Sequence, residues 1–104
     1  MFKDKRILTV DDSMTIRAFL KRLLTEQGAI VDEATTGDEA LALCAMGRRY
    51  DLVILDLLLP DMDGIEVLRQ MRVYDQDTAI VMLTGVGGVK SAITAVQYGA
   101  DGYI

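Results

Sequence analysis

Three carboxylates and a hydroxyl stand where apolar runs end in this 104-residue chain. Asp11 and Asp12 close Ile7-Leu8-Thr9-Val10, Asp56 closes Leu52-Val53-Ile54-Leu55, and Thr84 closes Ile80-Val81-Met82-Leu83. Short continuous apolar runs of this kind read as strands buried on both faces, the signature of a parallel sheet. Ligands of open parallel sheets bind beyond the carboxyl ends of the strands, where strand order reverses, so these polar groups should converge. Two carboxylates about 4 Å apart repel by roughly 4 kcal/mol at an effective dielectric near 20. A cluster that costly asks for a cation. Hard oxygen donors in small number, with room left for water and phosphate oxygens, suit Mg²⁺ better than zinc or copper.

The elements that must position these groups alternate between strand and helix lengths, the pattern of repeated βαβ units. After the first strand, Ile16, Phe19, Leu20, Leu23 and Leu24 recur at the offsets of one helical face, with Ser13 available as a cap and Gly28 as a stop. Ile30-Val31-Asp32-Glu33-Ala34 reads as a strand whose polar residues place it at a less buried or edge position. Thr36 and Glu39 have capping-box spacing and open a helix through Ala40, Leu41 and Cys44 that ends near Gly47. Beyond Asp56, the segment Leu57-Leu58-Leu59-Pro60-Asp61-Met62-Asp63-Gly64 forms a loop, and Asp63 can cap a helix carrying Ile65, Leu68 and Met71. Gly85, Gly87 and Gly88 make a pliable loop without Walker spacing or its lysine, and Val89, Ala92, Ile93 and Val96 predict a fourth helix, stopped at Gly99. Gly102-Tyr103-Ile104 opens a fifth strand.

Length and composition fit one globular domain, residues 1–104. A net charge of −5, from 16 acidic and 11 basic side chains, argues against a nucleic-acid surface. Cys44 is the only cysteine, which rules out an internal disulfide and makes a reduced setting the default; on its helix it reads as a small apolar filler. No apolar stretch approaches the roughly 18 residues of a membrane span, and Met1-Phe2-Lys3-Asp4-Lys5-Arg6 leads straight into a strand instead of a signal-peptide core. The expected location is therefore cytoplasmic, with no membrane partner.

In the order and spacing of five segments, the chain resembles the receiver domain of two-component response regulators. The segments are Asp11-Asp12, Asp56, Leu59-Pro60-Asp61-Met62-Asp63-Gly64, Thr84-Gly85, and Gly99-Ala100-Asp101-Gly102-Tyr103. The resemblance implies a flavodoxin-like (βα)₅ α/β sandwich with parallel strand order 2-1-3-4-5. It implies that Asp56 is the phosphoacceptor, taking a phosphoryl group from a sensor histidine kinase or histidine phosphotransfer protein. It further implies that Asp12, Asp56 and the backbone carbonyl of Leu58 ligate Mg²⁺, with Asp11 acting mainly through water. Thr84 would be the switch hydroxyl and Tyr103 the switch aromatic, and the fourth helix with the fifth strand would form the surface that meets an output protein. Such a domain signals; it is not expected to turn over a separate substrate.

Two departures from the family pattern matter. The lysine that the family carries two positions beyond Ile104 has no counterpart in this sequence, nor has the fifth helix, so the domain reads as incomplete at its C-terminus. Self-association through an open C-terminal edge is the corresponding expectation. Leu58 stands where the family's side chain helps to control hydrolytic water, and an aliphatic group cannot hold that water by hydrogen bonding, which implies slow autodephosphorylation. Two other readings stay open: a receiver-like interaction module that does not use phosphorylation, and a small Mg²⁺-dependent phosphatase, against which stands Leu58 at the place where such enzymes put a general acid.

Overall fold

The computed structural model describes residues 2–83 and 99–103. Its elements run β1 (Arg6–Val10), α1 (Met14–Glu26), β2 (Ile30–Ala34), α2 (Gly37–Ala45), β3 (Leu52–Asp56), α3 (Gly64–Tyr74), β4 (Ala79–Leu83) and β5 (Gly102–Tyr103). All five strands lie in one sheet in the order β2-β1-β3-β4-β5, and each pairing is parallel. That is the doubly wound order the resemblance to receiver domains implies. Its reversal falls between β1 and β3, so the carboxyl ends of those two strands frame the crevice. The helix expected over Val89 to Val96 lies outside the described residues.

Alternation along the strands sorts the core into two layers. Leu8 and Val10 of β1, Val53 and Leu55 of β3, and Ile80 and Met82 of β4 face one side, where they pack with Ala40 of α2 and with Val67, Leu68 and Met71 of α3. Ile7 faces the other side and packs with Leu24 and Ala29, flanked by the partly buried Leu20, Val31, Leu52 and Ile54. Helix α1 therefore lies on the sheet face opposite α2 and α3, as right-handed βαβ crossovers on either side of the switch point require.

The helices begin where the capping residues predict. Ser13 Oγ accepts from the Ile16 N–H, Thr36 Oγ1 from the Glu39 N–H, and Asp63 Oδ1 from the Ile65 N–H. The Glu39 carboxylate, however, accepts from the Thr35 hydroxyl, so only half of the capping box predicted at Thr36 is seen among the described hydrogen bonds. Strand β2 is the outer strand beside β1, and only Ala34 within it is buried, in line with its polar residues.

The apolar stripe of α1 is less buried than its periodicity implies. Leu24 is buried and Leu20 packs beside it, but Ile16, Phe19 and Leu23 are exposed, Phe19 at 59%. The helix rests on β1 and β2 through its Leu20–Leu24 edge, and among the described residues nothing covers the rest of the stripe. No described helix is long and apolar enough to cross a membrane.

Candidate metal centre

Strand register brings the acidic residues together. Val10 of β1 pairs with Leu55 of β3, so the next residues on each chain, Asp11 and Asp56, stand side by side at the carboxyl edge. Asp12 follows in the turn into α1. One carboxylate oxygen from each of Asp11, Asp12 and Asp56 lies within 4.8 Å of the others. Asp11 is buried, Asp56 half-buried and Asp12 exposed, so the cluster opens to solvent on the Asp12 side.

Asp11 is fixed at three atoms. Its N–H donates to the Ala34 carbonyl at 3.1 Å, its Oδ1 accepts from the Ser13 N–H at 2.8 Å, and its carbonyl accepts from Arg17 Nη1 at 2.7 Å. The second carboxylate oxygen remains for a cation or a water. Asp56 Oδ1 accepts a 3.3 Å hydrogen bond from the Leu58 N–H. Burial pushes the Asp56 carboxyl above its ordinary value, against the pull of that backbone bond, and the charges of Asp11 and Asp12 push it further the same way.

The loop after Asp56 is braced from several directions. Leu58 and Asp63 form an antiparallel bridge, and the Gly64 N–H donates to the Leu57 carbonyl at 2.7 Å. A β-carbon on Gly64 would meet the Asp56 carbonyl oxygen and the Leu57 α-carbon, so glycine lets α3 start directly against the strand that carries Asp56. At the far end of the loop, the Asp61 carboxylate accepts from the N–H groups of Gly37 and Asp38, at 2.8 and 2.9 Å. It thereby caps α2 from more than twenty residues away and holds loop and helix together. Met62 packs against Gly37, where a β-carbon would clash with it.

Leu57 is buried beneath the loop, Leu59 is half-buried, and Leu58 is exposed at 59%. Leu57 thus adds apolar bulk next to Asp56 in the chain, while Leu58 is open to solvent. Thr84 lies outside the described residues. Tyr103 is in β5, paired with Met82, and its side chain is outside the described set. Cys44 is half-buried, and burial, helped by the Asp75 charge, pushes its thiol up, consistent with a filler on α2.

Three oxygens at these separations match a small hard cation. Around an ion that holds ligands at about 2.1 Å, oxygens in one octahedron stand about 3 Å apart when adjacent and about 4.2 Å when opposite, so oxygens within 4.8 Å of one another would draw inward on binding one ion. Among the described residues this is the one group of acidic side chains with metal-binding geometry.

With the geometry in place, similarity to known proteins can be set beside it. The family model of the response regulator receiver domain matches residues 7–104. The chain belongs to that family. It is 42% identical to the transcriptional regulatory protein ResD of Bacillus subtilis over 101 residues, covering 97% of this chain and 41% of ResD. It is 40% identical to the chemotaxis protein CheY of Halobacterium salinarum over 102 residues, 96% of this chain and 82% of that protein. The chain thus spans less than half of the first relative and most of the second. Among solved structures, a CheY-like receiver domain protein from Methanospirillum hungatei superposes with a TM-score of 0.92 at 33% identity, over 98% of this chain and 81% of that one. A response regulator from Burkholderia pseudomallei, solved with a phosphorylated aspartic acid, a calcium ion and citrate, superposes at 0.89 and 33% identity, over 96% of this chain and 58% of that one. The receiver fold and the sheet-edge acidic cluster are therefore read together.

Sequence reasoning missed three supporting residues. Asp61 as the cap of α2 and Arg17 on the Asp11 carbonyl are contacts across the fold with no local spacing to mark them. Gly64 follows a capping aspartate, a position where many residues would serve; only the approach of Asp56 shows why it is glycine.

Proposed function

We propose that this receiver domain accepts a phosphoryl group on Asp56 with Mg²⁺ held by Asp11, Asp12, Asp56 and the Leu58 carbonyl. The observation that carries the reading is the meeting of three carboxylates at the β1/β3 switch point with oxygens within 4.8 Å. Mg²⁺ bound there would neutralise charge on the oxygens of the phosphoryl group in transit. The donor is a phosphohistidine on a sensor kinase or phosphotransfer protein. One Asp56 carboxylate oxygen bonds to phosphorus as the phosphorus–nitrogen bond breaks, and the imidazole leaves with the bonding pair. The Leu58 N–H on Asp56 Oδ1 orients the carboxylate, and Asp11, anchored at its backbone and one oxygen, offers its remaining oxygen toward the cation. The acyl phosphate adds negative charge and strong acceptor oxygens at the sheet edge, which new contacts on the Thr84 side would read out toward an output protein.

The reaction modifies the domain itself, so no turnover of a separate substrate is part of the proposal, and the domain works in the cytoplasm, where kinases and Mg²⁺ are available. Incubation with acetyl phosphate and Mg²⁺, followed by intact-protein mass spectrometry, tests the reading. One added phosphoryl group that requires Mg²⁺ and is lost in Asp56→Asn supports it. No addition to the wild-type chain, or addition that persists in Asp56→Asn, overturns it.

A further inference from the structure

Arg17 is the one cationic side chain among the described residues that hydrogen-bonds to a member of the acidic cluster. It lies in the first turn of α1, and its side chain is only 14% exposed. Nη1 donates to the Asp11 carbonyl at 2.7 Å, and Nε donates to Glu33 Oε1 at 3.3 Å. Glu33 lies on β2, paired with Thr9 of β1, and Lys21 Nζ reaches its other oxygen at 3.7 Å. The guanidinium therefore ties together the turn after β1, the start of α1 and the neighbouring strand.

Its target is a backbone oxygen, which matters for what it can do. A cation placed to offset the cluster's charge would bond to a carboxylate, compete with a metal, and weaken metal binding. A guanidinium with one N–H on the carbonyl and another on Glu33 instead fixes the peptide from which the Asp11 side chain projects. With the Asp11 N–H on Ala34 and Oδ1 on Ser13, the carbonyl contact completes a three-point mount, and the Asp11 carboxylate so held has an oxygen within 4.8 Å of one from each of Asp12 and Asp56.

We infer that Arg17 is a positioning residue for the cation site, holding Asp11 in its ligating geometry through the backbone and held in turn by Glu33. The inference rests on the reading of Asp11, Asp12 and Asp56 as a Mg²⁺ site. The charge and positioning roles predict opposite signs. If Arg17 acted as a neighbouring positive charge alone, its removal would tighten Mg²⁺ binding and lysine would substitute for it. As a positioner it is needed for its planar fork, so lysine fails as well.

The test is a Mg²⁺ titration, followed by amide NMR shifts, of the wild-type chain and of Arg17→Met, Arg17→Lys and Glu33→Gln, each held well below its own melting temperature. Arg17→Met and Arg17→Lys should weaken Mg²⁺ binding roughly tenfold, the scale of losing a group that orients a metal ligand, and Glu33→Gln by a smaller factor in the same direction. Arg17→Lys keeps the charge and the aliphatic stem, so it reports even if the methionine variant fails to fold. Binding that is unchanged or tighter in Arg17→Lys overturns the inference while leaving the metal site intact. A wild-type chain that shows no Mg²⁺ binding overturns the metal-site reading itself.

Discussion

Gly64 approaches Asp56 so closely that a β-carbon on it would run into the Asp56 carbonyl oxygen. The obstacle is backbone, which cannot swing aside as a flexible side chain would, so α3 would have to lift away from β3. Gly64→Ala should destabilise the domain by about 1–3 kcal/mol or more, the scale of overpacking against a fixed core, measured by urea unfolding. Since the same shift would displace Asp56, Mg²⁺ affinity should fall even where the variant is fully folded. A variant with wild-type stability would show that the strand and helix separate more easily than their contact implies.

Repulsion within the acidic cluster gives a stability signature with a definite sign. The folded state raises the pKa of Asp56 above 3.8, through burial first and the Asp11 and Asp12 charges after it. The fold therefore binds a proton there more tightly than the unfolded chain does. The contribution of Asp56 to stability is therefore fully present below 3.8 and is lost as pH rises through the elevated folded value. At neutral pH without metal, Asp56→Asn should be more stable than wild type by about 1 kcal/mol, and the gap should close in acid. Adding Mg²⁺ should reverse the ranking, because the wild-type chain gains binding energy that the variant lacks. Melting curves at several pH values, with and without Mg²⁺, check both halves.

Asp61 behaves in the opposite way. Its bonds from the Gly37 and Asp38 N–H groups hold its carboxyl below 3.8, so its contribution is present above 3.8 and is lost as pH falls through the depressed folded value. Asp61→Ala should lower the urea midpoint at neutral pH by freeing two donors at the start of α2. Asp61→Asn, which keeps one acceptor oxygen, should fall between the two. In strong acid, where the wild-type carboxyl is protonated, wild type should converge on Asp61→Asn while Asp61→Ala stays below both; a wild-type advantage over Asp61→Asn that persists there would assign the effect to packing instead of the charge on the cap.

What could be read from sequence and what could not divide along physical lines. The parallel βαβ layout followed from apolar runs alternating with amphipathic stretches, and the strand order from the resemblance to receiver domains. The metal cluster followed from three aspartates at run ends, because a parallel sheet in that order leaves little choice about where strand ends meet. Local caps at Ser13, Thr36 and Asp63 followed from spacing alone. Contacts joining distant segments left no periodic trace: Asp61 on α2, Arg17 on the Asp11 carbonyl, and the Gly64–Asp56 approach depend on how loops fold back. The α1 stripe misled in the other direction. Its spacing marks Ile16, Phe19 and Leu23 as one face with Leu24, but periodicity reports which residues share a face, not how much of that face the rest of the described chain covers.

Leu58 offers the sharpest test of how the site's mouth works. Its N–H is tied to Asp56 Oδ1 at 3.3 Å, while its side chain is 59% exposed, two residues from the carboxylate where water would meet an acyl phosphate. Hydrolysis needs a water aligned opposite the departing carboxylate oxygen, and holding a water there requires a donor or acceptor that leucine does not have. Asparagine at this position keeps a similar reach and adds both. Leu58→Asn should therefore speed loss of the phosphoryl group by roughly tenfold, about 1.4 kcal/mol in the barrier. Leu58→Ala, which widens access without supplying a hydrogen bond, should speed it less. Decay of the phosphorylated protein after removal of acetyl phosphate, followed by mass spectrometry, separates the two effects: a rate raised equally by alanine and asparagine would mean that Leu58 acts by shielding alone, and a rate unmoved by either would mean that hydrolytic water arrives by another side of the site.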